Sequence, residues 1–485
     1  MNRLRRLIRT YSRQARLVLA LPAAAVAITG QAQTPRQPIR ALPYTQFEIQ
    51  NGLVAILSED HTTPIVSVEV WYHVGSKNDA PTQPGIVHLC EHLMSQGSPH
   101  LNQPQPVFYR SIGGTSTHYA ETTEDVTEYF ITVPSNELET VLWAESDRMA
   151  SPLSLADSQR IAGVGAVVAQ ERRQNLENIP FGSSREATIG ALYPGSHPYH
   201  LTPLSQSFDP SHTDAGLVRA TCLPYYVPNN AVLTISGDLD PAKTRALIEK
   251  YFGPIPRGNP VPRPDLRVAP LTAERRLVLE DSRVTQPQLH FDWRGASYSS
   301  DDRMAVLAIA SGLSFPRFGR LSKLLVTDRR LATNVVIDNY DLEHAGVFEI
   351  IVFPRPGTSM TLIETLVDST LKSLETSPVT ADEISRFNAF NQVAAVTGLQ
   401  LQFARADTLA HDQTFAGDPV SYAKQANAAL KLTPSDVQAA VHKYLTSGRV
   451  VMSLVPAGKL DLISKPELPY TNVTPLADPR RPVTP

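Results

Sequence analysis

The chain has 485 residues, 42% of them hydrophobic and 19% charged, with a formal net charge of -3. This is the composition of a soluble globular protein too long for one ordinary domain, and two domains of about 200 residues are expected. Weak acidity argues against nucleic acid as a partner. Only two cysteines, Cys90 and Cys222, are present, which excludes a disulfide-rich scaffold and leaves their pairing open.

Residues 1–32 read as a secretory signal. Arg3, Arg5, Arg6, Arg9, Arg13 and Arg16 precede an apolar run over 17–28, and Gly30-Gln31-Ala32 follows. Roughly 12 apolar residues fall short of the ~20 that span a bilayer. The expectation is a cleaved signal, a mature chain starting near Gln33, no stable membrane span, and a periplasmic or otherwise exported protein. Arg5-Arg6 matches a twin-arginine signal only faintly. Removing six positive charges from -3 leaves the mature chain near -9.

Short β-branched strands follow over 53–57 and 65–72, and then His88-Leu89-Cys90-Glu91-His92. Gly85 precedes this motif, and Ile86, Val87, Leu93 and Met94 flank it, so the segment reads as a helix. On a helix, positions i, i+3 and i+4 share a face. His88 and His92 can therefore grip one Zn2+, with Glu91 left beside the water as general base. H-x-x-E-H is a known inverted-zincin signature. A solvated face with two surface histidines fits poorly, because the polar trio interrupts an apolar segment.

An open catalytic zinc site needs a third protein ligand. The helix expected from 157 to about 178 carries an apolar stripe of Ile161, Val164 and Val168. One further step lands on Glu171, whereas Glu177 lies well around the helix. A carboxylate on a buried stripe needs a cation, either a metal or an arginine. His118, His197, His200 and His212 are competing third ligands that spacing does not remove.

Six prolines over 254–270 mark a linker, since neither helix nor central strand tolerates that density. The halves on either side repeat. A strand ending at Pro134 before a helix recurs at Pro354, an offset of 220, and Ala231-Val232-Leu233 recurs as Val450-Val451-Met452, an offset of 219. An amphipathic helix is expected over 361–374, with Leu362, Ile363, Leu366, Val367, Thr370, Leu371 and Leu374 on one face. The class is α+β: two homologous mixed α/β-sheet domains over 33–253 and 271–465, with a Pro-rich tail after 465.

These motifs resemble the pitrilysin family of zinc metallopeptidases. The resemblance rests on the stretch from Gly85 through Met94 and on Thr122-Thr-Glu-Asp125-Val-Thr127-Glu-Tyr129. It also rests on Leu142-Trp143-Ala-Glu-Ser-Asp147-Arg148, Val167-Val-Ala-Gln-Glu171, His197-Pro198-Tyr199 and Tyr225-Tyr-Val-Pro-Asn-Asn-Ala231. It implies one Zn2+ per chain on His88, His92 and Glu171, Glu91 as base, and a second half without metal chemistry. Shifting the motif by 220 indeed lands on Ala308-Ile-Ala-Ser-Gly312. It further implies a peptide substrate docked as an extended strand on a sheet edge near 113–119, with Gly113, Gly114, Tyr119 and Ala120 as contacts.

Three departures stand out. Val164 occupies a position where the family often has a second acid, and Tyr119 stands where it usually has Asn. Val326 and Thr333 stand where single-chain members supply an Arg and a Tyr to the reacting carbonyl. Some bacterial members divide this work between two chains, which implies a homologous partner subunit in a heterodimer, or else a homodimer. The rival expectations are a zinc-retaining, non-catalytic subunit and a peptide-binding protein with a vestigial metal.

Overall fold

The computed structural model describes residues 37–473 apart from 81, 116–118, 205–212 and 447. The expected signal segment, His118, His212 and residues 474–485 lie outside the described residues.

Twelve strands form two six-stranded sheets among the described residues. The first sheet contains β1 (Thr45–Glu48), β2 (Val54–Glu59), β3 (Ile65–Tyr72), β4 (Ala120–Thr122), β5 (Thr127–Pro134) and β6 (Ala231–Gly237), in the order β1-β2-β6-β3-β5-β4. The second contains β7 (Arg275–Asp281), β8 (Gln288–Arg294), β9 (Ala332–Asp341), β10 (Gly346–Pro354), β11 (Val450–Pro456) and β12 (Thr471–Val473), in the order β12-β7-β11-β8-β10-β9.

Position by position, these are the same sheet built twice. β2 runs parallel to β6, and β6, β3, β5 and β4 then alternate antiparallel. β7 runs parallel to β11, and β11, β8, β10 and β9 alternate likewise. Only the outer edge differs. β1 folds back antiparallel on β2, whereas β12 comes from the Pro-rich tail and lies parallel to β7. Part of the stretch read as tail is therefore a sheet strand.

Alternation explains how each sheet buries two faces. On β3, Val66, Val68, Val70 and Tyr72 point into the first core. Trp71 points to the other face and meets Leu409 and Ala410. Those two residues belong to the helix Gln402–Ala416, which comes from the second half of the chain. The reverse also occurs: Ile189, Ala191 and Leu192 of the helix Ser184–Leu192 pack with Leu277, Leu279, Val450 and Met452 of the second sheet. Each half thus covers the other's sheet with a helix, and the two helices fall about one repeat apart in sequence.

The amphipathic helix over 361–374 is observed as Met360–Thr376, started by the Ser359 side chain accepting from the Leu362 amide. Ile363, Val367, Leu371 and Leu374 are buried, but Leu362 is exposed, at the rim of the stripe. No helix among the described residues is long and apolar enough to cross a membrane.

Candidate metal centre

The H-x-x-E-H motif lies on the helix Ile86–Met94, as its spacing predicts. Nine residues are too few for a stable isolated helix. Gly85, in the left-handed conformation, provides no side-chain cap. Asp79 takes over that role from a distance, its two carboxylate oxygens accepting from the amides of Gly85 (2.7 Å) and Val87 (2.9 Å). The apolar side of the helix, including Leu89 and Cys90, is fully buried in the first core.

The opposite face carries the chemistry. His88 Nε2 and His92 Nε2 are 3.2 Å apart. Glu171 Oε2 is 3.5 Å from the first and 3.4 Å from the second. A tetrahedral zinc with bonds of about 2.0–2.1 Å needs ligand atoms about 3.3–3.4 Å apart. The tripod therefore has the right size and donor set for that ion. Glu91 Oε2 lies 3.8 Å from His88 Nε2, adjacent to the tripod.

Glu171 comes from the helix Ser158–Arg172, whose first turn is capped by the Asp157 carboxylate accepting from the Arg160 amide. Ile161, Val164 and Val168 are buried as the stripe predicts. The Glu171 side chain itself is 36% exposed rather than buried, because it stands at the solvent side of the tripod. Glu177 is turned away and pairs with Arg172 at 3.3 Å. Among the competing histidines, His197 Nε2 meets the Leu266 carbonyl and His200 Nδ1 meets the Tyr193 carbonyl, so both are engaged elsewhere.

Burial separates the titrations of these groups. It pushes His88 down to about 4, aided by the neighbouring His92 charge. It pushes Glu91 up to about 7 against the opposing pull of His92 and the Thr122 hydrogen bond. Burial also disfavours charge on His92, but Glu91 and Glu171 outweigh it and raise that group to about 9. Burial thus favours the neutral imidazole of His88 that a metal ligand requires, whereas His92 would have to give up a proton to a divalent cation held there.

Two residues that helical spacing does not single out hold the base. Thr122 Oγ1 donates to Glu91 Oε2 at 2.9 Å, and Tyr129 OH donates to the Glu91 carbonyl at 3.4 Å. Both sit in the Thr122–Tyr129 motif, but only the fold shows what they touch. Thr122 ends β4, the short edge strand paired on one side with β5.

The expected substrate contacts divide. Ala120 is on the β4 edge. The Tyr119 ring is buried, stacked on Tyr109, and its hydroxyl accepts from Arg110 Nε. Its side chain is therefore not displayed to a docked peptide. Gly113 has a φ of +84°, and a Cβ on Gly114 would come within 2.6 Å of the Tyr109 carbonyl, so both glycines have a packing reason. In the second half, Val326 lies against the second core and the Thr333 hydroxyl donates to the Phe353 carbonyl. Neither is a cation or a phenol.

Comparison with known proteins agrees with this anatomy. Residues 54–180 match the family model described as Insulinase (Peptidase family M16), and residues 219–388 match the one described as Peptidase M16 inactive domain. The chain is 25% identical over 356 residues to the zinc protease PqqE of Helicobacter pylori, covering 73% of this chain and 79% of that protein. The fold is similar to the crystal structure of a protease from Helicobacter pylori, with a TM-score of 0.78 at 23% identity over 86% of this chain and all of that one. It is also similar to the first half of the periplasmic protease PqqL from Escherichia coli, with a TM-score of 0.71 at 15% identity over 86% and 93% of the two chains. The duplicated α+β architecture, a first half bearing the H-x-x-E-H helix and a second half without it together place this chain in peptidase family M16, the pitrilysin type.

Proposed function

We propose that the chain is an exported zinc-dependent endopeptidase acting on peptides or small unfolded polypeptides. The observation that carries this reading is the tripod of His88, His92 and Glu171 at zinc-ligand spacing, with Glu91 fixed beside it. An ion held there would act as a Lewis acid toward the scissile carbonyl and the attacking water.

The chain's own residues supply the rest. β4 is the edge strand of the first sheet among the described residues, where an extended peptide can add as another strand, and Thr122 at its end touches the base. This brings the peptide backbone beside Glu91. Glu91 takes a proton from the water as it attacks and delivers it to the leaving amine. The Thr122 hydrogen bond fixes the carboxylate, and Tyr129 fixes the backbone that carries it.

Val326 and Thr333 favour a second reading, in which the chain is the metal-bearing subunit of a two-chain peptidase. Neither residue gives the developing oxyanion the hydrogen bonds of an Arg and Tyr pair, and losing such donors costs ~10²-fold or more in rate. A homologous subunit bearing them would restore the missing part.

The deciding experiment measures zinc content and hydrolysis of an unstructured peptide by the purified mature chain. It then repeats the assay with a co-exported homologue lacking H-x-x-E-H. One zinc per chain with weak cleavage, raised ~10²-fold by the second chain, is the expected result. Full turnover alone would remove the partner and keep the peptidase. No zinc under zinc-replete conditions would remove both.

A further inference from the structure

The two cysteines fall outside the ligand set, yet one of them is inside the motif. Cys90 immediately precedes Glu91 and lies two residues from each histidine. At about 100° per residue it stands roughly 200° around the helix from both. It therefore faces the core when the histidines face the tripod. Its sulfur is bonded to Cys222, the last residue of the helix Ala215–Cys222, across 132 positions of sequence. Both residues are fully buried.

The bond closes a ring of contacts behind the base. The Tyr226 amide donates to the Cys222 carbonyl at 3.3 Å. The Tyr226 ring packs on Tyr72 at 4.9 Å, and the Tyr72 ring meets the edge of Tyr129 at 6.0 Å. Tyr129 in turn donates to the Glu91 carbonyl. The motif helix is thus held at two adjacent residues, through the Glu91 carbonyl and through the Cys90 sulfur. With Asp79 holding the first turn, the helix is tied at its start and its middle.

The tie matters because the tripod is shared between two helices. His88 and His92 come from a nine-residue helix that cannot hold its own position, and Glu171 comes from another. Metal ligands must stay within about 0.5 Å and 10–20° of their productive geometry. A small roll of the short helix moves both imidazoles away from Glu171 together.

We propose that the Cys90–Cys222 bond is a positioning element of the metal centre, seating the motif helix so that His88 and His92 meet Glu171. The inference rests on the metallopeptidase reading above. Forming the bond removes two electrons and two protons from the two thiols. They pass by exchange to a disulfide oxidant, whose own sulfur–sulfur bond breaks to give two thiols. Because both sulfurs are buried, the exchange takes place during folding. A chain folded in a reducing compartment then has a loosely seated helix, and one folded in an oxidising compartment has a tight site.

The test compares three forms of the full mature chain: oxidised wild type, wild type refolded in a reducing phosphine, and Cys90→Ala/Cys222→Ala. The readouts are the rate of zinc loss to a chelator, the visible spectrum of the cobalt-substituted site, and kcat and KM on an unstructured peptide. Both forms without the bond should lose zinc at least tenfold faster, show an altered cobalt spectrum, and have a lower kcat with KM little changed. Refolding the reduced wild type with oxidised glutathione should restore all three readouts, while the double variant does not respond. Equal zinc loss, spectra and kcat in the three forms would overturn the inference, as would two reactive thiols in denatured, unreduced wild type. Failure of both bond-free forms to fold, read by circular dichroism, would also overturn it, since the bond would then serve the fold rather than the centre. If the oxidised wild type holds no zinc, the metallopeptidase reading fails first, and that outcome is distinct from the others.

Discussion

The two halves of the molecule share a sheet order, a strand register and even an exchanged helix, yet only one carries a metal tripod. The motif helix of the first half presents His88, Glu91 and His92 on one face. Its counterpart in the second half, Arg303–Ser314, has Ala308, Ser311 and Gly312 at the corresponding positions, none of which can hold a metal ion as an imidazole or carboxylate does. Apart from the edge strands, the sheet order and strand directions are the same in both halves. Core patterning keeps the fold in both halves, and the four polar side chains of the candidate site sit on two helices of the first.

The largest expected effect comes from making the first half resemble the second at one atom. Glu91→Gln keeps the shape and the Thr122 contact but cannot accept the water's proton. Peptide cleavage should fall ~10²–10⁴-fold with zinc retained, as turnover and metal analysis would show. Unchanged turnover would place the base elsewhere. Next comes the tripod itself. Glu171→Gln leaves a neutral amide as third ligand, and zinc affinity should drop about tenfold or more in a chelator competition. Glu177→Gln, which alters the ion pair with Arg172, should leave affinity unchanged. A reversal of that order would mean that the helix is phased differently in solution.

A smaller effect tests how the halves are joined. Glu343, on the turn between β9 and β10, reaches into the first half and meets Lys77 Nζ and His73 Nε2, each at 2.6 Å. Burial opposes its ionisation, but hydrogen bonds from His344 and His73 and the Lys77 charge win, holding the carboxyl well below its ordinary range. Glu343→Gln should lower stability at pH 7 by ~3 kcal/mol in denaturant titrations. An acid with a depressed folded pKa contributes fully above its unfolded value of about 4.3, and this contribution is lost as pH falls below that. The gap between wild type and variant should therefore narrow on acidification. A gap independent of pH would mean that the cost is one of packing rather than charge.

Much of the candidate site's placement is legible in the sequence because helical periodicity is local. His88, Glu91 and His92 share a face at fixed spacing, and the stripe of Ile161, Val164 and Val168 points onward to Glu171. Long-range geometry leaves no such local trace. The same stripe predicted burial for Glu171, although the end of a stripe can emerge at the surface, as it does here. Asp79 caps the motif helix from outside its first turn, Thr122 reaches the base from a sheet edge, and Cys222 bonds to Cys90 across 132 positions. None of these has a periodicity to read. The burial of the Tyr119 ring against Tyr109 has no local signal either, since the residue before so short a strand has no alternation to tell which face is covered. The reciprocal helices were not legible either, because an amphipathic pattern says that a face is buried but not against which sheet.

That exchange has a further consequence for the molecule as an object. Severing the chain between Phe252 and Arg275 would not yield two independent proteins, since each fragment would leave with a helix belonging to the other's interior and expose the bare sheet beneath. The fragments should instead be mutually dependent, insoluble apart and able to complement one another when mixed. The cut chain would then behave as an obligate heterodimer whose two subunits descend from one gene, with the break on the surface and the interface already in place.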